Sequence, residues 1–385
     1  MERVAEQAMT LCPGYNVSQT IESLFNHTTF ADREHQLAAL ACLYGKAQDE
    51  MVRITYWNGF SYIIGFAFGA PSAVMAILIF YRKDFGSVSF SYHRVINVIE
   101  LIYMGFVFEC GLEWMTGDLI ARSWLWCQFR TYFHYKLDLA LPLAIQLIIL
   151  WVALERVTVC YAAAWFKVIN RVSVAHLVVA VSLVASLAIY SPSAFTSKFV
   201  FDNTTQRYVR TAVGFAKTHG NETYARFHSF LAFIQFALLT AATVATVAGL
   251  IETTRRKRRL ADSAGSKSAN AQTLYRQIAI NKQLCLLQLC ESVPVLLNCL
   301  ILVIIQSFSV VTDPLQLVAM PFDEAIRNVN LFRLFLYLCI LQTVVDMIEH
   351  STHFYRYFVF SQKVNSVIRH MFKKNSVSAV SVIPG

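Results

Sequence analysis

The chain has 385 residues, 56% of them hydrophobic and 15% charged, with a net charge of +9. A water-soluble globular chain is about 45–50% apolar and about 25% charged, so these proportions argue against a soluble domain and for a polytopic membrane protein. The positive balance is what basic loops on one side of a bilayer produce, not a nucleic-acid footprint. No Gly-rich phosphate loop, nucleophile elbow or HExxH helix marks an enzyme or a cofactor.

In chain order, residues 1–56 read as an extracellular tail. They hold no basic segment leading into an apolar core, so no cleavable signal is expected. Seven apolar segments follow, at 57–81, 94–115, 129–157, 172–194, 228–252, 283–308 and 330–360. Each exceeds the ~20 residues needed to cross hydrocarbon. Helices are expected because an isolated strand in lipid leaves its backbone unpaired. The expected organisation is an all-α seven-helix membrane domain over 57–361, then a cytoplasmic amphipathic helix and tail over 362–385. Between spans five and six, residues 261–273 (ADSAGSKSANAQT) are small and polar and read as a flexible loop.

Two features orient the bundle. The sequons at Asn16, Asn26, Asn203 and Asn221 precede span one or lie between spans four and five, one shared side if the count holds, and glycosylation is luminal. Basic residues gather on the other side: Arg82, Lys83 and Arg94, then Lys167 and Arg171, then RRKRR at 255–259, then Lys363, Arg369, Lys373 and Lys374. Both features put the N-terminus outside and the C-terminus inside. Of the nine cysteines, Cys110, Cys160, Cys285, Cys290, Cys299 and Cys339 lie in or beside apolar runs. Cys12, Cys42 and Cys127 are left as the ones that could sit outside and pair.

Span three ends in ALERVTVCYAAAWFK, with Glu155 and Arg156 adjacent at the membrane edge. Span seven ends in HSTHFYRYFVFSQKVNSVIRHMFKK (350–374), where Tyr357 is followed by Val364, Val367, Ile368, Met371 and Phe372 at helical spacing and by cations on the opposite face. Together these ends resemble the rhodopsin-like G-protein-coupled receptors, and more loosely the nematode serpentine chemoreceptors. The resemblance covers roughly residues 57–374. It implies a switch made of Glu155, Arg156 and Tyr357, with His353 and Phe354 standing where the family has Asn-Pro. It also implies a ligand cavity facing Asp138, whose carboxylate suits a cationic ligand. The chain departs from the family in lacking a mid-span acid near Val107, a Cys-Trp pair before Pro294 and any cysteine over 195–227. A family-like bridge from Cys127 would therefore need Cys12 or Cys42 as its partner.

Ionisable groups inside a membrane are costly and mark function by default. Asp346, Glu349, His350 and His353 share one helical face at i, i+3, i+4 and i+7. With Glu100 or Glu109 of span two they are expected to form a polar core, with Asp346 also facing the ligand. Two histidines at i and i+3 with an acid have the composition of a zinc site. No second patterned ligand pair accompanies them, so no metal is expected.

The resulting expectation is a plasma-membrane receptor, not an enzyme and without cofactor. It would bind an extracellular small molecule or peptide, activate a heterotrimeric G protein and contact membrane lipids but no nucleic acid. Chemosensory and neuropeptide receptors are both open. The rival from another class is an odorant-gated cation channel of inverted topology, which would leave the sequons in the cytoplasm. A transporter is disfavoured by the odd span count and the lack of repeated, broken helices.

Overall fold

The computed structural model describes residues 34–85, 88–116, 123–130, 135–191, 197–202, 207–212, 221–263, 269–307, 322–361 and 364–369. Its helices are α1 Glu34–Phe80, α2 Val88–Thr116, α3 Trp124–Phe129, α4 Tyr135–Tyr161, α5 Ala163–Ile169, α6 Val172–Tyr190, α7 Asn221–Ser263, α8 Ala269–Ser307, α9 Phe322–Ser351 and α10 His353–Phe360. An antiparallel hairpin, β1 Ser197–Asp202 and β2 Arg207–Ala212, follows α6.

Among the described residues, six helices are long and apolar enough to cross a membrane, which makes this a multi-pass membrane protein by length and composition. The expected segment at 283–308 falls on α8, whose described residues hold an apolar stretch at Leu289–Ile305. Side-chain burial indicates the solvent. On α6 the buried positions are Ala175, Ser182, Ser186 and Tyr190, while Leu177, Val181 and Val184 point outward. A helix with small and polar residues inside and branched apolar ones outside suits lipid, where close packing of small residues drives association.

The long helices close on one another. α1 packs on α2 and α9; α2 also meets α4 and α6; α4 lies against α6 and α7; and α8 sits between α7 and α9. The main apolar core gathers residues of α2, α4, α6, α7, α8 and α9, including Ile96, Met104, Ile145, Ile148, Val152, Leu239 and Val295. At the α1–α2 crossing the backbones nearly touch. A Cβ on Gly111 would lie 2.9 Å from the carbonyl oxygen of Gly59, so only glycine fits there.

Several boundaries differ from those expected. α1 is described from Glu34, so residues 34–56, expected as part of the N-terminal tail, are helical and continuous with the first span. Their Ala, Leu, Gln, Glu, Lys and Met content favours helix. Glu50 holds this extension to α9 through a bidentate ion pair with Arg333, at 2.8 and 2.6 Å. The described helix of span three is Tyr135–Tyr161, and ahead of it lies α3, capped by Ser123. The basic run 255–259 is helical, part of α7, and of the expected 261–273 loop residues 261–263 and 269–273 are helical. Span seven divides at Thr352, where Ser351 and Thr352 bond back to the carbonyls of Met347 and Ile348. Such back-bonding bends helices.

The turn after α1 is built by Arg94, whose guanidinium donates to the carbonyls of Phe80 and Phe85, both at 2.8 Å. Beyond α10, residues 364–369 are helical. Val364 and Ile368 pack there with Ala76, Ile79, Phe80, Phe85, Phe354 and Tyr357. The amphipathic helix thus turns its apolar face to the bundle itself.

Candidate functional site

Asp138 on α4 and Asp346 on α9, both expected to face ligand, line one cavity of about 240 Å³. Tyr62, Tyr103, Tyr190, Gln146, Gln235, Asn298 and Gln342 contribute the rest of its polar lining. Pro142 also lines it, inside α4, where it removes one backbone donor from the helix ladder. The cavity therefore joins two carboxylates to several amide and hydroxyl groups inside an apolar bundle. That is a donor–acceptor set for a small polar or cationic molecule.

Asp346 also begins a buried polar chain. Tyr103 donates to its Oδ2 at 2.8 Å and Asn298 to its Oδ1 at 3.0 Å. Asn298 donates to Glu349 as well, at 3.2 Å. His350 stands between two acids, its Nε2 3.6 Å from Asp346 and its Nδ1 3.7 Å from Glu100. Glu100 faces His353 Nδ1 at 3.7 Å. From Asp346 to Tyr357 the chain covers eleven residues, about 16 Å at 1.5 Å per residue. At the far end, the Tyr357 hydroxyl donates to Glu291 and bonds the His93 ring. All these groups except Asn298 are ionisable in water, and all but the half-buried Asp346 are buried.

The three expected switch residues come together indirectly. Glu155 is buried and Arg156 half-buried. The Arg156 charge is felt at Glu155, Glu291 and His93, and Tyr357 bonds the latter two. Glu291 and His93 thus link Arg156 to Tyr357. Arg356 secures the break at Thr352: its guanidinium donates to the carbonyls of Ile348, at 3.3 Å, and Glu349 and to Thr352 Oγ1 at 2.9 Å.

One expected member of the polar core lies elsewhere. Glu109 sits about two and a half turns further along α2 than Glu100, on the opposite face, toward α3. It accepts from Trp126 Nε1 at 3.0 Å and pairs with Arg130 at 3.7 Å, while Arg130 also bonds Glu113. Glu100 is the span-two acid of the core, because its position on the helix turns it toward α9.

The cysteine expectation also changes. Cys42 is disulfide-bonded, but Cys127 carries a thiol, so Cys127 is not its partner. Burial raises the Cys127 thiol above its ordinary value, with Arg130 acting the other way. A suppressed thiolate is a poor partner in disulfide exchange. Cys12, Asn16, Asn26 and Asn203 lie outside the described residues. Asn221 is the first residue of α7.

His93, Asn298, Glu291, Tyr103 and Arg356 were not among the expected site residues. A signal for several was available. His93, Asn97 and Glu100 form an i, i+4, i+7 polar stripe on α2, and Glu291 and Asn298 an i, i+7 pair on α8. These stripes are visible only when polar residues in apolar runs are read by helical face.

No protein-family model matches the chain. No curated protein matches it either.

Proposed function

We propose that this protein is a divergent rhodopsin-like G-protein-coupled receptor of chemosensory type, with seven spans, an extracellular N-terminus and a place in the plasma membrane. A small extracellular molecule binds between Asp138 and Asp346. A heterotrimeric G protein docks at the opposite end, against Arg156, the 253–283 segment and the 363–374 helix. The observation that carries this reading is the run of polar groups from Asp346, at the cavity, through His350, Glu100 and His353 at 3.6–3.7 Å spacings, to Tyr357 with its bonds to Glu291 and His93. Ligand contact at Asp346 changes the charge field along that run. A ligand acts by favouring one of two helix arrangements, in proportion to its differential affinity.

The cavity size favours a small molecule over a neuropeptide. At about 240 Å³ it lies below the ~300–1,000 Å³ of sites for drug-sized ligands. The two carboxylates favour a cation. The test is co-expression with chimeric G proteins and a screen of small amines and related odorants. A ligand-dependent G-protein response, weakened at least tenfold in potency by Asp346→Asn at equal surface expression, is the expected result. Ligand-gated current without G-protein activation, together with unglycosylated Asn16 and Asn203, overturns the reading in favour of an inverted odorant-gated channel.

A further inference from the structure

We propose that His93, Glu291 and His353, with the Tyr357 hydroxyl as fourth donor, form a zinc site that ties α2, α8 and α10 together. The ligand atoms of His93, Glu291 and His353 all lie within 4.8 Å of one another. The four side chains come from three helices, and all are buried, at 4% exposure or less. Zinc takes imidazole and carboxylate donors in a tetrahedron at about 2.0–2.2 Å, which sets donor–donor separations near 3.4 Å. To reach that geometry the His93, Glu291 and His353 donors draw together by side-chain rotation, while the Tyr357 hydroxyl, now hydrogen-bonded to His93 and Glu291, moves outward.

Two further observations point to an ion. The His353 Nε2 is buried and has no hydrogen-bond partner, while its Nδ1 faces Glu100 Oε1 at 3.7 Å. A metal-bound histidine characteristically turns its second nitrogen to a carboxylate, which fixes the ring and raises its basicity. Glu100 is placed to do this. The Tyr357 hydroxyl already touches both His93 and Glu291, so a cation held by those two has a fourth donor adjacent to it. Phe80, Phe85 and Phe90 pack around His93 and Tyr357, an apolar shell that keeps water from competing for the ion.

The surrounding charges divide. Glu291 and Glu100 favour a dication; Arg156 and Arg356 oppose it. Arg356 is engaged by the Ile348 and Glu349 carbonyls and by Thr352, and this fixes its guanidinium in place. The borderline-soft nitrogen and oxygen set selects zinc and its transition-metal neighbours over magnesium or calcium, which prefer all-oxygen sites. The second acid–histidine group, Asp346, Glu349 and His350, adjoins the ligand cavity and serves as an internal control.

The experiment uses the full chain in detergent, stripped with a chelator and titrated with zinc chloride. Bound metal is measured by elemental analysis after gel filtration, and unfolding by tryptophan fluorescence. The expected result is one zinc per chain and a raised unfolding midpoint, with no effect of magnesium or calcium. His93→Gln and Glu291→Gln abolish both responses; His350→Gln keeps them. His353→Cys restores binding with a shift of preference toward cadmium. Cobalt in the unmutated chain gives the intense visible bands of a tetrahedral complex, a readout that needs no variant to fold. Substoichiometric zinc, octahedral cobalt bands, or zinc binding unchanged in His93→Gln each overturn the proposal. Nothing in these readouts depends on signalling, so they stand or fall separately from the receptor reading.

Discussion

The Tyr103 hydroxyl donates to Asp346 Oδ2 at 2.8 Å, joining α2 to α9 at the wall of the cavity. The bond holds one of the two cavity carboxylates at a fixed height in the bundle. Tyr103→Phe removes a donor from a buried carboxylate, a change that costs about 1–3 kcal/mol. It is expected to lower the unfolding midpoint of the solubilised protein, and Tyr103→Phe with Asp346→Asn together should cost less than the sum of the two single changes. Strict additivity in this double-mutant cycle would show the bond to be energetically idle.

The two cavity acids make a prediction about ligand charge. Asp138→Asn and Asp346→Asn should each reduce the potency of a cationic agonist at least tenfold, equivalent to about 1.4 kcal/mol, with surface expression retained. An agonist whose potency is unchanged in both variants binds elsewhere.

At the break in span seven, His353→Ala is expected to alter basal G-protein activity without changing the amount of protein at the surface. His353 lies between Glu100 and the Tyr357 cluster, so its removal interrupts the polar chain. Basal activity equal to that of the unmutated protein, in a cell assay with matched expression, counts against a switching role.

Arg130 neutralises Glu109 and Glu113. Removing one partner of a buried ion cluster costs about 3–5 kcal/mol, because charges are left without compensation. Arg130→Ala should therefore sharply reduce surface expression. Adding Glu109→Gln and Glu113→Gln should recover much of it, since the stranded charges are then gone. No recovery on flow cytometry would mean that Arg130 acts by packing alone.

Two glycines of α2 should respond oppositely to alanine. At Gly111 the new methyl meets the Gly59 carbonyl oxygen at 2.9 Å and Ile63 Cγ1 at 3.0 Å, whereas at Gly105 it meets nothing within 4 Å. Gly111→Ala is expected to destabilise by about 1–3 kcal/mol, the range for overpacking. Gly105→Ala should stabilise slightly, by at most about 1 kcal/mol of helix propensity. Thermal unfolding of the two variants in the same detergent tests the pair.

Much of the fold was legible because lipid imposes simple rules. Apolar length marks a crossing, and the helices follow from the need to pair every backbone group. That logic placed the cores of six spans well and failed at their ends. The α1 extension over 34–56 is amphiphilic and helix-prone, and its anchor, Glu50 to Arg333, joins distant positions in the chain.

The candidate site was only half legible. Asp138, Asp346, Glu349, His350, His353 and Tyr357 stand out as polar residues in apolar runs, and helical spacing puts the last five on α9 and α10 in a connected order. Their partners on α2 and α8 were missed or misassigned. Glu109 and Glu100 are equally acidic and equally within span two, and they differ in the direction they face. The sequence by itself determined the membrane-spanning helical character and the stock of buried ionisable groups, since composition and 3.6-residue periodicity are local properties. Only the tertiary structure decided which groups meet: that Asp138 and Asp346 share a cavity, that Glu291 and His93 hold Tyr357, and that Glu109 belongs with Arg130. The rotation and depth of each helix are set by close packing with its neighbours, as at Gly59 and Gly111, and such contacts between distant segments leave no mark in local sequence pattern.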